Sequence, residues 1–265
     1  MPPVVKNLLI INILFFLATL ALDSAYGIKL IDYLGLHYWA AEDFQPYQFI
    51  TYMFMHGGLW HIFFNMFALW MFGNALENVW GPKRFLIYYL VTGVGAAIVH
   101  YLVFYFQISP IMSAINNLLQ DPSNEKLMAF LNSDNFKVAS LEIQNNYTAF
   151  ANKYNSLITR DPSRALQEGI NFITQYRIDF LNSAVVVGAS GAVFGILLAF
   201  GMLFPNALIY VYFAIPVKAK WFVIIYGGIE LYSGISNNPG DNVAHFAHLG
   251  GMIFGYFMIR YWKRH

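Results

Sequence analysis

Apolar residues run through this chain in long uninterrupted blocks, with polar residues gathered between them. The pattern is neither the period-two alternation of a half-buried strand nor the one-sided stripe of a soluble helix. Six blocks stand out, at about residues 7–22, 58–76, 85–106, 182–204, 221–235 and 242–261. Most approach the ~20 apolar residues that a helix needs to cross a hydrocarbon core. They predict six membrane helices, of which the fifth is short and carries Glu230. After the first block comes a wetter stretch with Asp23, Asp32, Glu42 and Asp43, rich in Tyr and Trp, which reads as an interfacial loop. Trp80-Gly81-Pro82-Lys83-Arg84 makes a tight turn between the second and third blocks. Pro205, Pro216, Lys218 and Lys220 mark a turn region that holds an extended apolar piece at 209–215.

The stretch 107–181 is of a different kind, rich in Asn, Ser, Lys and Glu. Asp121-Pro122-Ser123 and Asp161-Pro162-Ser163 each read as an Asp N-cap with Pro at the first helical position. The segments behind them, 125–131 and 164–180, have helical spacing of apolar residues. The chain therefore divides into 1–106, with three membrane helices; 107–181, a helical insertion; and 182–265, with three more helices. Asn146-Tyr147-Thr148 matches the glycosylation pattern, a match frequent by chance and discounted here.

Composition agrees with the pattern. Of 265 residues, 58% are hydrophobic and only 11% charged, well below a soluble domain. The fold class expected is an all-α polytopic membrane protein, its partner the lipid bilayer. A net charge of +1 gives no reason to expect nucleic acid. The absence of cysteine excludes disulfides, thiolate metal sites and a cysteine nucleophile. Lys6 precedes the first block and no small-residue cleavage site follows it, so the first helix is expected to be retained.

Charge sets an expected orientation. Lys6, Lys83-Arg84, Lys218 with Lys220, and Arg260 with Lys263-Arg264 fall on one side if the helices alternate, and the loops at 23–43 and 236–241 lean acidic. The positive-inside rule then makes both termini cytoplasmic and the insertion extracytoplasmic, with a bacterial inner membrane as the expected location. The second, fourth and sixth helices enter from the outer face. Glu77 is expected to pair with Lys83 or Arg84 at the cytoplasmic end.

Polar residues within these three helices carry the chemistry. The second holds His61 and Asn65, four apart and so on one face; the fourth holds Ser190 within Gly188-Ala189-Ser190-Gly191; the sixth holds His245 and His248. Counting inward at the helical rise puts Ser190 and His248 both about 10 Å deep, with His61 and Asn65 bracketing that level. A lone Ser is cheap in a membrane helix, since it can bond a carbonyl one turn earlier. A hydroxyl, an imidazole and two more hydrogen-bonding groups at one depth are costly and point to function. They suit nucleophilic acyl transfer, His248 taking the Ser190 proton. Asn65, His61 and the Ser190 backbone N–H are donors of the type that stabilises a tetrahedral oxyanion. Helices four and six offer no carboxylate at that depth, so the expectation is a Ser-His dyad without an acid. Gly191 and Gly195, with Gly251 and Gly255, form two small-xxx-small patterns that would let the two helices approach closely.

Gly188-Ala189-Ser190-Gly191, with His61-x-x-x-Asn65 upstream and Ala247-His248-Leu249-Gly250-Gly251 near the end, resembles the rhomboid intramembrane serine proteases. The resemblance runs in order over all six helices and omits the insertion. It implies a six-helix rhomboid-like bundle, Ser190 as nucleophile, His248 as general base, and His61 and Asn65 at the oxyanion hole. No cofactor or metal is implied; the implied substrates are transmembrane proteins, with the fifth helix and the loop before the sixth gating the site. Where some members have a Tyr one turn after the nucleophile, this chain has Phe194, which keeps the ring face for stacking on the catalytic His.

Other classes fit less well. A metalloprotease site from His56, His61, His245 and His248 lacks the His-Glu-x-x-His signature. An inactive relative that binds membrane segments should have lost the nucleophile or the base, and both are present. A transporter would be expected to show a repeat of its spans, and none is evident. His245 and His56 are expected to be structural, and Glu230 to bond a neighbouring helix or water.

Overall fold

The computed structural model describes residues 1–211, 214–236 and 244–263. Among them are eleven α-helices: α1 (Pro3–Tyr26), α2 (Leu30–Leu34), α3 (Gln48–Thr51), α4 (Leu59–Trp80), α5 (Pro82–Gln120), α6 (Asn124–Leu131), α7 (Leu141–Leu157), α8 (Pro162–Ser183), α9 (Ser190–Leu203), α10 (Ala219–Ser236) and α11 (His245–Trp262). The protein is an all-α membrane bundle. Helices α1, α4 and α5 are each long and apolar enough to cross a membrane, and α9 is a shorter apolar helix. Side chains turned outward tell the same story. On α1, Ile10, Ile13, Leu14, Leu17 and Leu20 are exposed, a surface suited to lipid and not to water.

The residues form two compact units: 1–36, 46–103 and 186–265 make the first, and 37–45 with 104–185 the second. In the first, α9 packs extensively on α11, and α4 packs on both α1 and α9. Small residues make the closest approaches possible. A Cβ on Gly251 would run into the Gly191 carbonyl oxygen, and one on Gly191 into Ala96 of α5. Only the first pair of the two small-xxx-small patterns joins α9 to α11. Gly195 and Gly255 instead make room for Thr92 and Tyr88 of α5, and the Tyr88 hydroxyl donates to the Gly195 carbonyl at 2.7 Å.

Several sequence expectations change. Glu77 does not pair with Lys83 or Arg84. Its buried carboxylate accepts from the backbone N–H groups of Val4 (2.9 Å) and Val5 (2.8 Å). Those donors belong to the first turn of α1, which has no intrahelical partner for them, and the carboxylate also complements the positive end of the helix dipole. The piece at 209–215 is not one extended run: Leu208–Val211 pairs antiparallel with Ile215–Lys218. The third apolar block does not end near residue 106, because α5 continues without a break to Gln120 with Pro110 inside it. The fourth does not form one helix from 182. Asn182 and Ser183 close α8, Val185–Val186 is extended, and α9 begins at Ser190. The expected loop at 236–241, apart from Ser236, and Arg264 lie outside the described residues.

The second unit packs α6 and α7 on α8. Asp161 caps α8 as its motif predicts, accepting from the Arg164 N–H at 3.0 Å. Asp121 does not cap α6. Ser123 does so, accepting from the Lys126 N–H at 3.1 Å, while Asp121 pairs with the Lys126 ammonium, which holds its carboxyl below the usual range. Ser140 starts α7, a helix that the sequence pattern did not reveal. Phe150 and Phe172 stack at 4.5 Å in the core between α7 and α8. Asp179, buried, accepts from Asn146 and Gln175.

Replacing Glu77 with Ala strands two N–H donors at the start of α1. The expected cost is about 1.5–3 kcal/mol, the range for a hydrogen bond to a charged group, with a smaller loss for Glu77→Gln. Thermal unfolding in detergent micelles measures it, and an unchanged Tm for Glu77→Ala would refute the capping role.

Candidate active site

Three helix starts converge. His61 lies in the first turn of α4, Ser190 is the first residue of α9, and His248 is in the first turn of α11. A count of helical rise from residue 182 does not apply to Ser190, since the chain is non-helical between Ser183 and Ser190. The approach to Ser190 is fixed by its backbone: the Gly188 N–H donates to the Tyr52 carbonyl at 2.9 Å, and Gly188 adopts φ +119°, a conformation natural to glycine. The Tyr52 hydroxyl in turn donates to the Gly93 carbonyl of α5 at 2.8 Å.

Ser190 Oγ and His248 Nε2 lie 2.8 Å apart. On the other side of the ring, His248 Nδ1 lies 2.8 Å from Glu230 Oε2 of α10. A carboxylate only accepts, so Nδ1 carries the proton, Nε2 is left as the acceptor, and the Ser190 hydroxyl donates to it. The same Glu230 oxygen also accepts from His245 Nδ1 at 2.7 Å. Both His248 and Glu230 are buried. Phe194, one turn into α9, stacks on the His248 ring at 4.1 Å and 8°. The ring thus has its plane held by Phe194 and both nitrogens bonded.

His61 and Asn65 occupy different positions. His61 Nε2 and Ser190 Oγ border one point in front of Gly188, 2.7 and 3.7 Å from where a Cβ there would sit. Gly57 N–H meets His61 Nδ1 at 3.4 Å, which favours Nε2 as the protonated, donating nitrogen. Asn65 is buried and its amide donates to the His61 carbonyl, 2.9 Å away and one turn earlier on α4. The first N–H groups of α9, beginning at Ser190, have no intrahelical acceptor and gather at the same helix start.

The four-His site weighed from sequence does not assemble. His56 stacks edge-on to His61 at 5.0 Å, and it is Glu230, His245 and His248 whose ligand atoms lie within 4.8 Å of one another, a set able to hold a metal ion.

Comparison with known proteins places this geometry in context. The Rhomboid domain model matches residues 43–108 and 167–264, more than half of the chain. The chain belongs to the rhomboid family. Among curated rhomboid relatives, the rhomboid protease GluP of Bacillus subtilis (strain 168) is 38% identical over 52 residues, 20% of this chain and 10% of its own. The Arabidopsis thaliana RHOMBOID-like protein 12, mitochondrial, is 27% identical over 202 residues, 76% of this chain and 42% of its own. Rhomboid-like protein 11, chloroplastic, from the same plant is 42% identical over 57 residues, 22% of this chain and 20% of its own. The chain thus spans less than half the length of each. As a rhomboid, it is an integral membrane protein. The break in the domain match, residues 109–166, falls within the second compact unit.

Helices four and six offer no acid, and the carboxylate comes instead from α10. One signal was available. Glu230 stands five residues before the end of the fifth apolar block and His248 six after the start of the sixth, so distances counted from the connection between them put the two side chains near one level.

Gly188→Ala tests the backbone of this rhomboid site. It forces an L-residue into a positive φ and drives a methyl against His61. The expected loss is about 1–3 kcal/mol of stability, read as a lower Tm in micelles; a Tm equal to wild type would contradict the geometry.

Proposed function

We propose that this rhomboid is an intramembrane serine endopeptidase whose nucleophile is Ser190 and whose general base is His248. The observation that carries the reading is the Ser190–His248 hydrogen bond within an apolar bundle. His248 accepts the Ser190 proton as Oγ attacks a peptide carbonyl, and then delivers it to the leaving amine. The oxyanion is held by the Ser190 N–H and His61 Nε2, with Asn65 donating through its second amide hydrogen. Phe194 keeps the imidazole plane in register through the proton transfers.

Substrates in this reading are single-span membrane proteins, cut near the outer end of the span. A substrate helix hides its carbonyls in its own hydrogen bonds, so it must unwind before Oγ reaches one; Gly or Pro within the span should help. The loop charges support cytoplasmic termini, which makes residues 107–181 an extracytoplasmic insertion.

Cleavage of a reconstituted single-span substrate, with products mapped by mass spectrometry, tests the reading. Ser190→Ala and His248→Ala should each abolish cleavage with the fold retained, and the double variant should lose no more than either alone. Asn65→Ala should lower turnover by roughly 10²–10³-fold, the cost of one oxyanion donor. Undiminished cleavage by Ser190→Ala would overturn the mechanism, and full turnover by an Asn65/His61 double variant would remove both from it.

A further inference from the structure

We propose that Glu230 is a positioning residue for catalysis, extending the serine–histidine pair to a Ser190–His248–Glu230 triad, with His245 as the second anchor of its carboxylate. The inference rests on the proteolytic reading above. Glu230 is buried on α10, yet it makes no ion pair with Lys or Arg among the described residues. A carboxylate is costly within an apolar bundle unless its charge is met. Here two imidazole N–H groups converge on a single oxygen, at 2.7 and 2.8 Å, from residues three apart on one helix.

The chemical consequence lies in the proton transfer. When Ser190 Oγ bonds to the substrate carbonyl carbon, its proton passes to His248 Nε2 and the carbonyl π pair moves to oxygen as the oxyanion. His248 becomes imidazolium, with N–H on both nitrogens. Glu230 accepts from Nδ1 throughout and gains attraction as the ring becomes positive, while its own protonation does not change. Breakdown of the intermediate returns the Nε2 proton to the departing amine. The carboxylate does two things: it holds Nε2 free as the acceptor, and it opposes the charge that forms on the ring. His245 donates to the same oxygen and so holds it against rotation.

The groups facing His248 support this division of roles. Ser190 meets it from α9, Glu230 from α10, and His245 lies one turn earlier on its own α11. Tyr226, one turn before Glu230 on α10, packs its ring on Phe194, which lies flat on His248. Within this set, Glu230 alone brings a negative charge.

The test is the isosteric Glu230→Gln variant of the full chain, assayed in proteoliposomes on a single-span substrate. Gln can still accept the Nδ1 hydrogen bond, so packing is retained while the charge is lost. The expected result is a kcat lowered by about 10²–10⁴-fold, bounded by the loss seen when a soluble serine protease loses the equivalent carboxylate. KM should stay within about two-fold, since substrate binding is untouched, and Tm near wild type. Proton NMR of the purified wild type should also show a strongly deshielded His248 Nδ1 proton, missing in His248→Ala and shifted in Glu230→Gln. A Glu230→Gln kcat within about three-fold of wild type overturns the triad while leaving the Ser190–His248 reading intact. If Glu230→Gln fails to fold, the wild-type NMR signal decides alone, and its absence overturns the proposal. Zinc bound to the purified protein at Glu230, or activity lost to a chelator and restored by Zn²⁺, also overturns it, because a metal on Nδ1 replaces the hydrogen bond. Wild type that cuts nothing and takes no fluorophosphonate at Ser190 sinks the proteolytic reading itself, a different failure.

Discussion

Everything at this site depends on how closely α9 and α11 can approach. Ser190 and His248 sit on different helices, and a hydrogen bond between their short side chains requires the backbones to touch nearby. They do so at Gly191 and Gly251, one residue beyond Ser190 and three beyond His248, where any side chain on Gly251 would meet the Gly191 carbonyl. In a bilayer no hydrophobic force drives helices together, so van der Waals contact between such bare backbones is a principal source of attraction. Close packing and candidate chemistry therefore have one origin. The glycines that seat the helices also bring hydroxyl and imidazole to 2.8 Å.

The second constraint is polar. A buried imidazole with two nitrogens needs two partners, and in an apolar bundle each must be built in. His248 has Ser190 on one side and Glu230 on the other, with Phe194 across its face. Glu77 of α4 and Asp179 of α8 follow the same rule: each buried carboxylate is met by two N–H donors. The protein carries few charges, and these three acids are each set against donors that the fold would otherwise leave unmet or misaligned.

Much of this was legible in the sequence, for physical reasons. Apolar blocks of membrane-crossing length announce helices because a lipid-exposed backbone must satisfy itself. The helical spacing that puts His61 and Asn65 on one face is equally direct. What escaped notice depended on tertiary structure. The fourth block looks like one helix from 182 because extended and helical residues share its apolar character; only Gly188, with its positive φ, marks the break before Ser190. Lys83 and Arg84 are the cations near Glu77 in sequence, whereas its partners are more than seventy residues away at the start of α1. Glu230 bonds a neighbouring helix, as its sequence suggests; that its partners there are His248 and His245 emerges only when both levels are counted from the connection they share. The helix α7 has weak apolar spacing, and its start is set by a Ser140 cap that resembles any other loop serine.

The central claim is that Ser190 is an activated nucleophile and not a packing serine that happens to meet a histidine. A fluorophosphonate reacts with a serine only where a base accepts its proton and an oxyanion site awaits. Labelling the purified protein in micelles and locating the adduct by mass spectrometry tests this most directly. The account predicts a single adduct on Ser190 that is lost when His248 is replaced by Ala. Wild type left unmodified, or an adduct on Ser190 that forms at the same rate without His248, would contradict it.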